Sequence, residues 1–217
     1  MAWTVPVVSQ CSPYEGVSSC MDDKVILWGN KVSVRSMRKE DVEKMIHWSS
    51  HEELLFYDYN FPYMDIEERE QWFDLKTKGH KRCFSVFDSE GEMVGYTAIR
   101  NVNVFFKRSE LGIVFDPGKI SSGYGTDAMR TLLNWYFNDL KYRKMILTVA
   151  AYNERAIKSY TKVGFTKYAQ HYGEFMNTMV NPLVEDEFKD FRKYFKKKGN
   201  KLDVLYYKMQ ISKLSTD

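Results

Sequence analysis

The chain has 217 residues, 44% hydrophobic and 16% aromatic, with 32 basic against 29 acidic residues for a net charge of +3. So many apolar residues exclude a disordered protein, and the near balance of charge argues against a dedicated nucleic-acid binder. A mean hydropathy of -0.48, no run near the roughly 18 apolar residues of a spanning helix, and no secretory-type start in MAWTVPVVSQ point to a globular, cytoplasmic protein without a membrane partner.

Three cysteines, Cys11, Cys20 and Cys83, form no Cys-x-x-Cys pair, and of the four histidines only His47 and His51 stand four residues apart, with no further His or Cys nearby to complete a ligand set. Neither a disulfide framework nor a metal enzyme is supported, and no metal ligand is assigned.

Residues 1–24 show no periodicity and read as a loosely attached arm ahead of a single domain over 25–217. Val32 and Val34 alternate with polar neighbours, then Val42, Met45 and Ile46 take helical spacing, giving strand then helix. Asp65 and Glu68 have the spacing of a capping box that opens a second helix. Arg82 to Phe87, Glu92 to Arg100 and Ser109 to Phe115 are β-rich runs separated by turn residues, an antiparallel meander.

From Gly125 the stripe Ala128, Met129, Leu132, Leu133, Tyr136, Phe137, Leu140 keeps i, i+3, i+4, i+7 spacing, which predicts a long amphipathic helix. Met145 to Ala150 reads as a buried strand, and Ala156, Ile157, Tyr160 and Val163 as the inner face of a short helix stopped by Gly164. The implied fold class is α/β, with a mixed, mostly antiparallel sheet around a central strand-helix-strand unit. Asn181, Pro182 and the stripe Val184, Phe188, Phe191, Phe195 predict an inserted amphipathic helix over 181–201, ahead of a last strand, Val204 to Ile211.

Ser121-Ser122-Gly123-Tyr124-Gly125-Thr126-Asp127-Ala128 lies between a strand and the strongest helix. Glycines there let backbone N–H groups reach a ligand, and with the positive end of the helix they suit a phosphate or pyrophosphate. A tight turn that packs helix on sheet is the alternative. A dinucleotide fingerprint fits poorly, because a meander precedes the loop and no acid stands about twenty residues on.

Together with Val32-Ser-Val-Arg35, Glu110-Leu-Gly-Ile-Val-Phe115 and Asn153-Glu-Arg-Ala-Ile-Lys-Ser-Tyr160-Thr-Lys-Val-Gly164-Phe165, this loop resembles the GCN5-related N-acetyltransferase (GNAT) family, in the branch of ribosomal-protein and spermidine acetyltransferases. The resemblance covers about Lys31 to Met176 and the last strand. One departure is Ile120, where the family usually has Gln or Arg; Lys119 beside it could supply charge.

The resemblance implies acetyl-CoA as cosubstrate. Its pyrophosphate would lie on Ser122, Gly123, Tyr124, Gly125 and Thr126, and its pantetheine arm in a slot beside a bent strand containing Ile113, Val114 and Phe115. Asn153 would touch the arm and Tyr160 the sulfur. Acetyl transfer needs the acceptor ammonium deprotonated and the leaving thiolate protonated. Glu110 is the candidate base and Tyr160 the candidate acid, in direct transfer without a covalent acyl-enzyme. Ordinary roles compete: Asn153 suits an N-cap, Tyr160 a core stripe, and Glu110 a strand-end carboxylate beside Arg108.

An acceptor amine is implied, on a small molecule or a protein N-terminus, and a homodimer is compatible. The alternative function is a non-catalytic acyl-CoA-binding regulatory domain. Between residues 51 and 75, eight acids (Glu52, Glu53, Asp58, Asp65, Glu67, Glu68, Glu70, Asp74) face one base, Arg69, a net −7. In the resembled family this stretch shapes the acceptor side, which favours a cationic acceptor modestly over a neutral or anionic one; acids at helix starts and on solvated faces are the competing explanation of the charge.

Overall fold

The computed structural model describes residues 25–213; the arm expected over 1–24 lies outside them. Nine strands form one sheet: β1 (Ile26–Trp28), β2 (Ser33–Ser36), β3 (Arg82–Phe87), β4 (Met93–Asn103), β5 (Arg108–Phe115), β6 (Lys144–Ala150), β7 (Thr166–Glu174), β8 (Phe195–Lys198) and β9 (Lys201–Ser212). The order is β1-β2-β3-β4-β5-β6-β9-β7, with β8 on the N-terminal part of β9. Every pairing is antiparallel except β5 with β6, so the sheet is mixed and mostly antiparallel as predicted. Four helices accompany it: α1 (Lys39–Met45), α2 (Ile66–Thr77), α3 (Tyr124–Asn138) and α4 (Glu154–Val163).

The predicted stripe of α3 becomes the main core. Ala128, Met129, Leu132, Leu133, Tyr136 and Phe137 are buried against Val34, Phe84, Val86, Leu111 and Met145. On the other face, Val42 and Met45 of α1 pack with Cys83, Phe87, Met93 and Tyr96. Asp41 of α1 is buried and holds Arg35 of β2 through two contacts of 2.6 and 2.7 Å, while accepting from Ser85 Oγ at 2.7 Å. The capping box of α2 is present, with Asp65 Oδ1 accepting from the Glu68 N–H and Glu68 Oε2 from the Asp65 N–H.

The parallel pairing of β5 and β6 covers only Arg108–Lys144, Ser109–Met145 and Glu110–Ile146. Beyond it the strands separate, and β6 remains paired only with β9. Tyr136 closes the narrow end: its hydroxyl donates to Lys144 O at 2.8 Å and meets Ser109 Oγ at 2.9 Å.

Residues 181–201 are not an amphipathic helix. Two short 3-10 turns, Asp186–Phe188 and Arg192–Tyr194, lead into β8, which pairs with β9 across Gly199 and Asn200. A two-residue loop opening on Gly199, at φ 61, is a hairpin signal that outweighs the helical spacing. Arg192 reaches back to the carbonyls of Pro182, Val184 and Glu185, which stabilises the turn. Phe188 and Phe195 are buried with Leu55, Tyr152, Phe175 and Val204, while Val184, expected inside, is 71% exposed. Strand β7 had no periodic signal, because most of its residues are exposed.

Candidate active site

Where β5 and β6 part, a cavity of about 1150 Å³ opens through the sheet. One half is lined by Ile113, Phe115, Lys119, Gly123, Tyr124, Gly125 and Thr126, and by Asn153, Lys158, Tyr160 and Lys162. Gly123 caps α3 at φ 86, a left-handed conformation that glycine adopts without strain. The first N–H groups of a helix lack intrahelical acceptors, so the start of α3 offers donors and a positive dipole end to the cavity. Gly125 also lets α3 lie close to β5: an added Cβ would stand 3.4 Å from the Phe115 ring. Lys119, Lys158 and Lys162 supply positive charge there. Of these three only Lys119 had a sequence signal.

Two assigned positions fall elsewhere. Ser122 is absent from the lining, where its neighbour Ser121 stands, and its carbonyl accepts from Lys31 Nζ at 3.0 Å. Glu110 also stands outside the lining. It lies opposite Arg100 in the β4–β5 register, pairs with Arg100 Nη2 at 2.7 Å, and accepts from Asn101 Nδ2 at 2.7 Å. Cross-strand neighbours of opposite charge meet directly, so Arg100 rather than Arg108 is its partner.

Val114 and Tyr160 line the cavity, as does Asn153, whose Oδ1 also accepts from the Ala156 N–H at 3.1 Å as the α4 cap. Burial, helped by nearby Tyr59, raises the Tyr160 phenol well above its usual range, so it remains protonated at neutral pH.

The other half of the cavity is lined by Phe56, Asp58 and Tyr59 of the 3-10 turn Leu54–Tyr59 with His51, by Lys76 and Lys81, by Tyr96, Ala98 and Arg100 of β4, and by Tyr152, Phe175 and Tyr206. The turn is held by Asn177 Nδ2, which donates to Leu54 O at 2.7 Å, and by Leu55 in the aromatic cluster under β8. Of the eight acids between 51 and 75, only Asp58 reaches the lining, and it is the sole carboxylate among the described lining residues. Asp65 and Glu68 are spent on the α2 cap, Glu70 pairs with Lys39, and Asp74 with Lys78. Partial burial raises Asp58 above the usual carboxylate value. Burial and nearby Arg155 lower the His51 imidazole, with Glu53 opposing, so His51 is mostly neutral near pH 7. Tyr59 has its hydroxyl 3.4 Å from that of Tyr152. Asp58, His51 and Tyr59 had no individual signal in the sequence beyond the acidic and aromatic character of their stretch.

A family model described as "Acetyltransferase (GNAT) domain" matches residues 31–166. The chain belongs to the GNAT acetyltransferases. It is similar to the spermidine N(1)-acetyltransferase of Escherichia coli (strain K12), 25% identical over 146 residues that cover 67% of this chain and 78% of that enzyme. The corresponding enzyme of Vibrio cholerae is 21% identical over 158 residues, 72% of this chain and 90% of its own length. Among solved structures, the V. cholerae spermidine N-acetyltransferase in complex with CoA and spermine superposes with a TM-score of 0.62 at 19% identity, covering 83% of this chain and 95% of that one. A GNAT acetyltransferase from Bacillus anthracis gives 0.62 at 17% identity, over 87% and 98%. This GNAT enzyme is an acetyl-CoA-dependent N-acetyltransferase, and the half-cavity at α3, with its helix N-terminus and three lysines, has the donor set that a pyrophosphate requires.

Proposed function

We propose that the acceptor is a small molecule bearing a primary amine, which enters from the half-cavity opposite α3 and attacks the thioester where β5 and β6 part. The observation that carries this reading is the lone carboxylate, Asp58, on the acceptor side of a slot whose cofactor side holds Tyr160. The ammonium docks against Asp58 and gives it one proton, a transfer eased by burial, which strengthens the carboxylate as a base. The amine nitrogen attacks the acetyl carbonyl carbon, and the carbon–sulfur bond breaks. Tyr160 gives its phenolic proton to the sulfur and recovers one, through solvent, from the nitrogen. Glu110 in this reading neutralises Arg100 and takes no proton. The two relatives named as spermidine acetyltransferases support a small-molecule amine over a protein N-terminus. The test is CoA thiol release from acetyl-CoA with a panel of small amines and N-terminal peptides. Release only with peptides overturns the reading, and release with small amines supports it.

A further inference from the structure

Lys76 of α2, Lys81 of the loop before β3, and Arg100 of β4 line the acceptor half of the cavity together. Arg100 is matched by Glu110 at 2.7 Å. Lys76 and Lys81 have no carboxylate within ion-pair distance among the described residues: Lys81 Nζ donates to the Leu75 carbonyl at 2.9 Å, and Lys76 Nζ sits 5.2 Å from the centroid of the Trp72 ring. Lys76 is half-buried, and burial together with Arg100 and Lys81 lowers its pKa, the Cys83 thiol acting the other way.

Like charges gathered in the wall of a partly desolvated cavity repel one another and favour an incoming anion. The cofactor phosphates are not that anion. The loop that suits them follows Phe115, whereas Arg100 stands opposite Glu110, five residues earlier on β5 and so about 17 Å away along the strand. These cations therefore flank the end of the slot where the strands begin to part, on the side of the reacting amine.

We propose that the acceptor carries, besides its amine, an anionic group, a carboxylate or phosphate, that docks on Lys76 and Lys81 with Arg100 beside them. The amine then lies toward Asp58 and the anion toward α2, so one molecule spans the acceptor half-cavity. This rests on the small-molecule reading above and separates a zwitterionic acceptor from a polyamine.

The test uses matched acceptors that share an amine: 4-aminobutanoate against 1,4-diaminobutane for a carboxylate, and phosphoethanolamine against ethanolamine for a phosphate. At least one anionic member is expected to exceed its partner by about tenfold or more in kcat/KM, as charge-assisted hydrogen bonds to an anion allow. In the Lys76→Gln/Lys81→Gln variant that ratio should collapse toward one, and in Lys76→Arg/Lys81→Arg it should persist, while both variants keep the melting shift caused by acetyl-CoA. Preference for the diamine, or a ratio unchanged by the Gln pair, overturns the proposal. Melting shifts by the same acceptors in the presence of CoA give a readout without turnover. If no amine releases thiol, the proposed function fails, and a Lys76- and Lys81-dependent shift with the anionic members alone still decides the anion site.

Discussion

At the residue scale the chemistry comes down to side chains whose protonation is set by burial. In the proposed reaction Asp58 acts as a base only when ionised, and its pKa is raised by burial. The acid limb of kcat/KM should therefore lie above the ordinary carboxylate range, with activity falling as pH drops through it. Asp58→Asn should lower kcat/KM by about 10²-fold and remove that limb, read from a pH profile between about 4 and 8. An acid limb that survives in the variant would move the base elsewhere, His51 being the neighbour to examine. Tyr160→Phe should cost about 10²-fold or more in kcat with little change in acetyl-CoA affinity, because the ring that packs against Phe165 remains and only the proton is lost. Steady-state kinetics alongside acetyl-CoA melting shifts separate the two effects.

At the scale of elements, α1 and the turn carrying Asp58 are each held by side chains of other elements. Arg35 on β2 fixes α1 through Asp41. Burial works to raise the Asp41 pKa, but hydrogen bonds from Arg35, the Arg38 N–H and Ser85 outweigh it and hold the carboxyl below the usual value. A depressed folded pKa gives stability that is complete above the unfolded carboxylate value, about 4, and is lost as pH falls through the folded one. Asp41→Ala should cost about 3 kcal/mol at neutral pH by stranding a largely buried guanidinium, and should flatten the fall of melting temperature below about pH 4. Under β8, Phe195 packs on Tyr152 and Phe175, in the cluster that also contains Leu55 of the turn carrying Asp58. Phe195→Ala should destabilise by about 3–5 kcal/mol and raise the acceptor KM, while the acetyl-CoA melting shift persists. An unchanged KM would mean that the 181–201 segment does not support the acceptor side.

At the scale of the whole molecule, the sheet and α3 form a frame from which the cofactor half is built in advance, so acetyl-CoA should bind without a large rearrangement. A ligand that binds only the folded state stabilises it by mass action, and the melting temperature should rise with acetyl-CoA concentration. NAD should give a clearly smaller shift at equal concentration; an equal one would mean that the loop does not distinguish pantetheine from a dinucleotide.

Much of this was legible in the sequence because it rests on local rules. The α3 stripe, the α2 capping box, the Asn153 cap, the Gly164 stop and the glycine loop each depend on residues within a few turns of one another, where spacing alone fixes which side chains share a face. What needed the tertiary structure involves partners distant in sequence. The end of the 181–201 segment became a hairpin strand because β9 offered an edge to β8, a preference that no helical stripe records. Glu110 faces Arg100 and forms an ion pair with it because the β4–β5 register sets the two opposite each other. Seven of the eight acids that suggested an acidic acceptor site are spent on caps, ion pairs and surface, and three cations from α2, its following loop and β4 meet in their place. A charge's position in the chain gives its sign, but only packing decides which charges share a cavity, because that depends on which faces of distant elements come together.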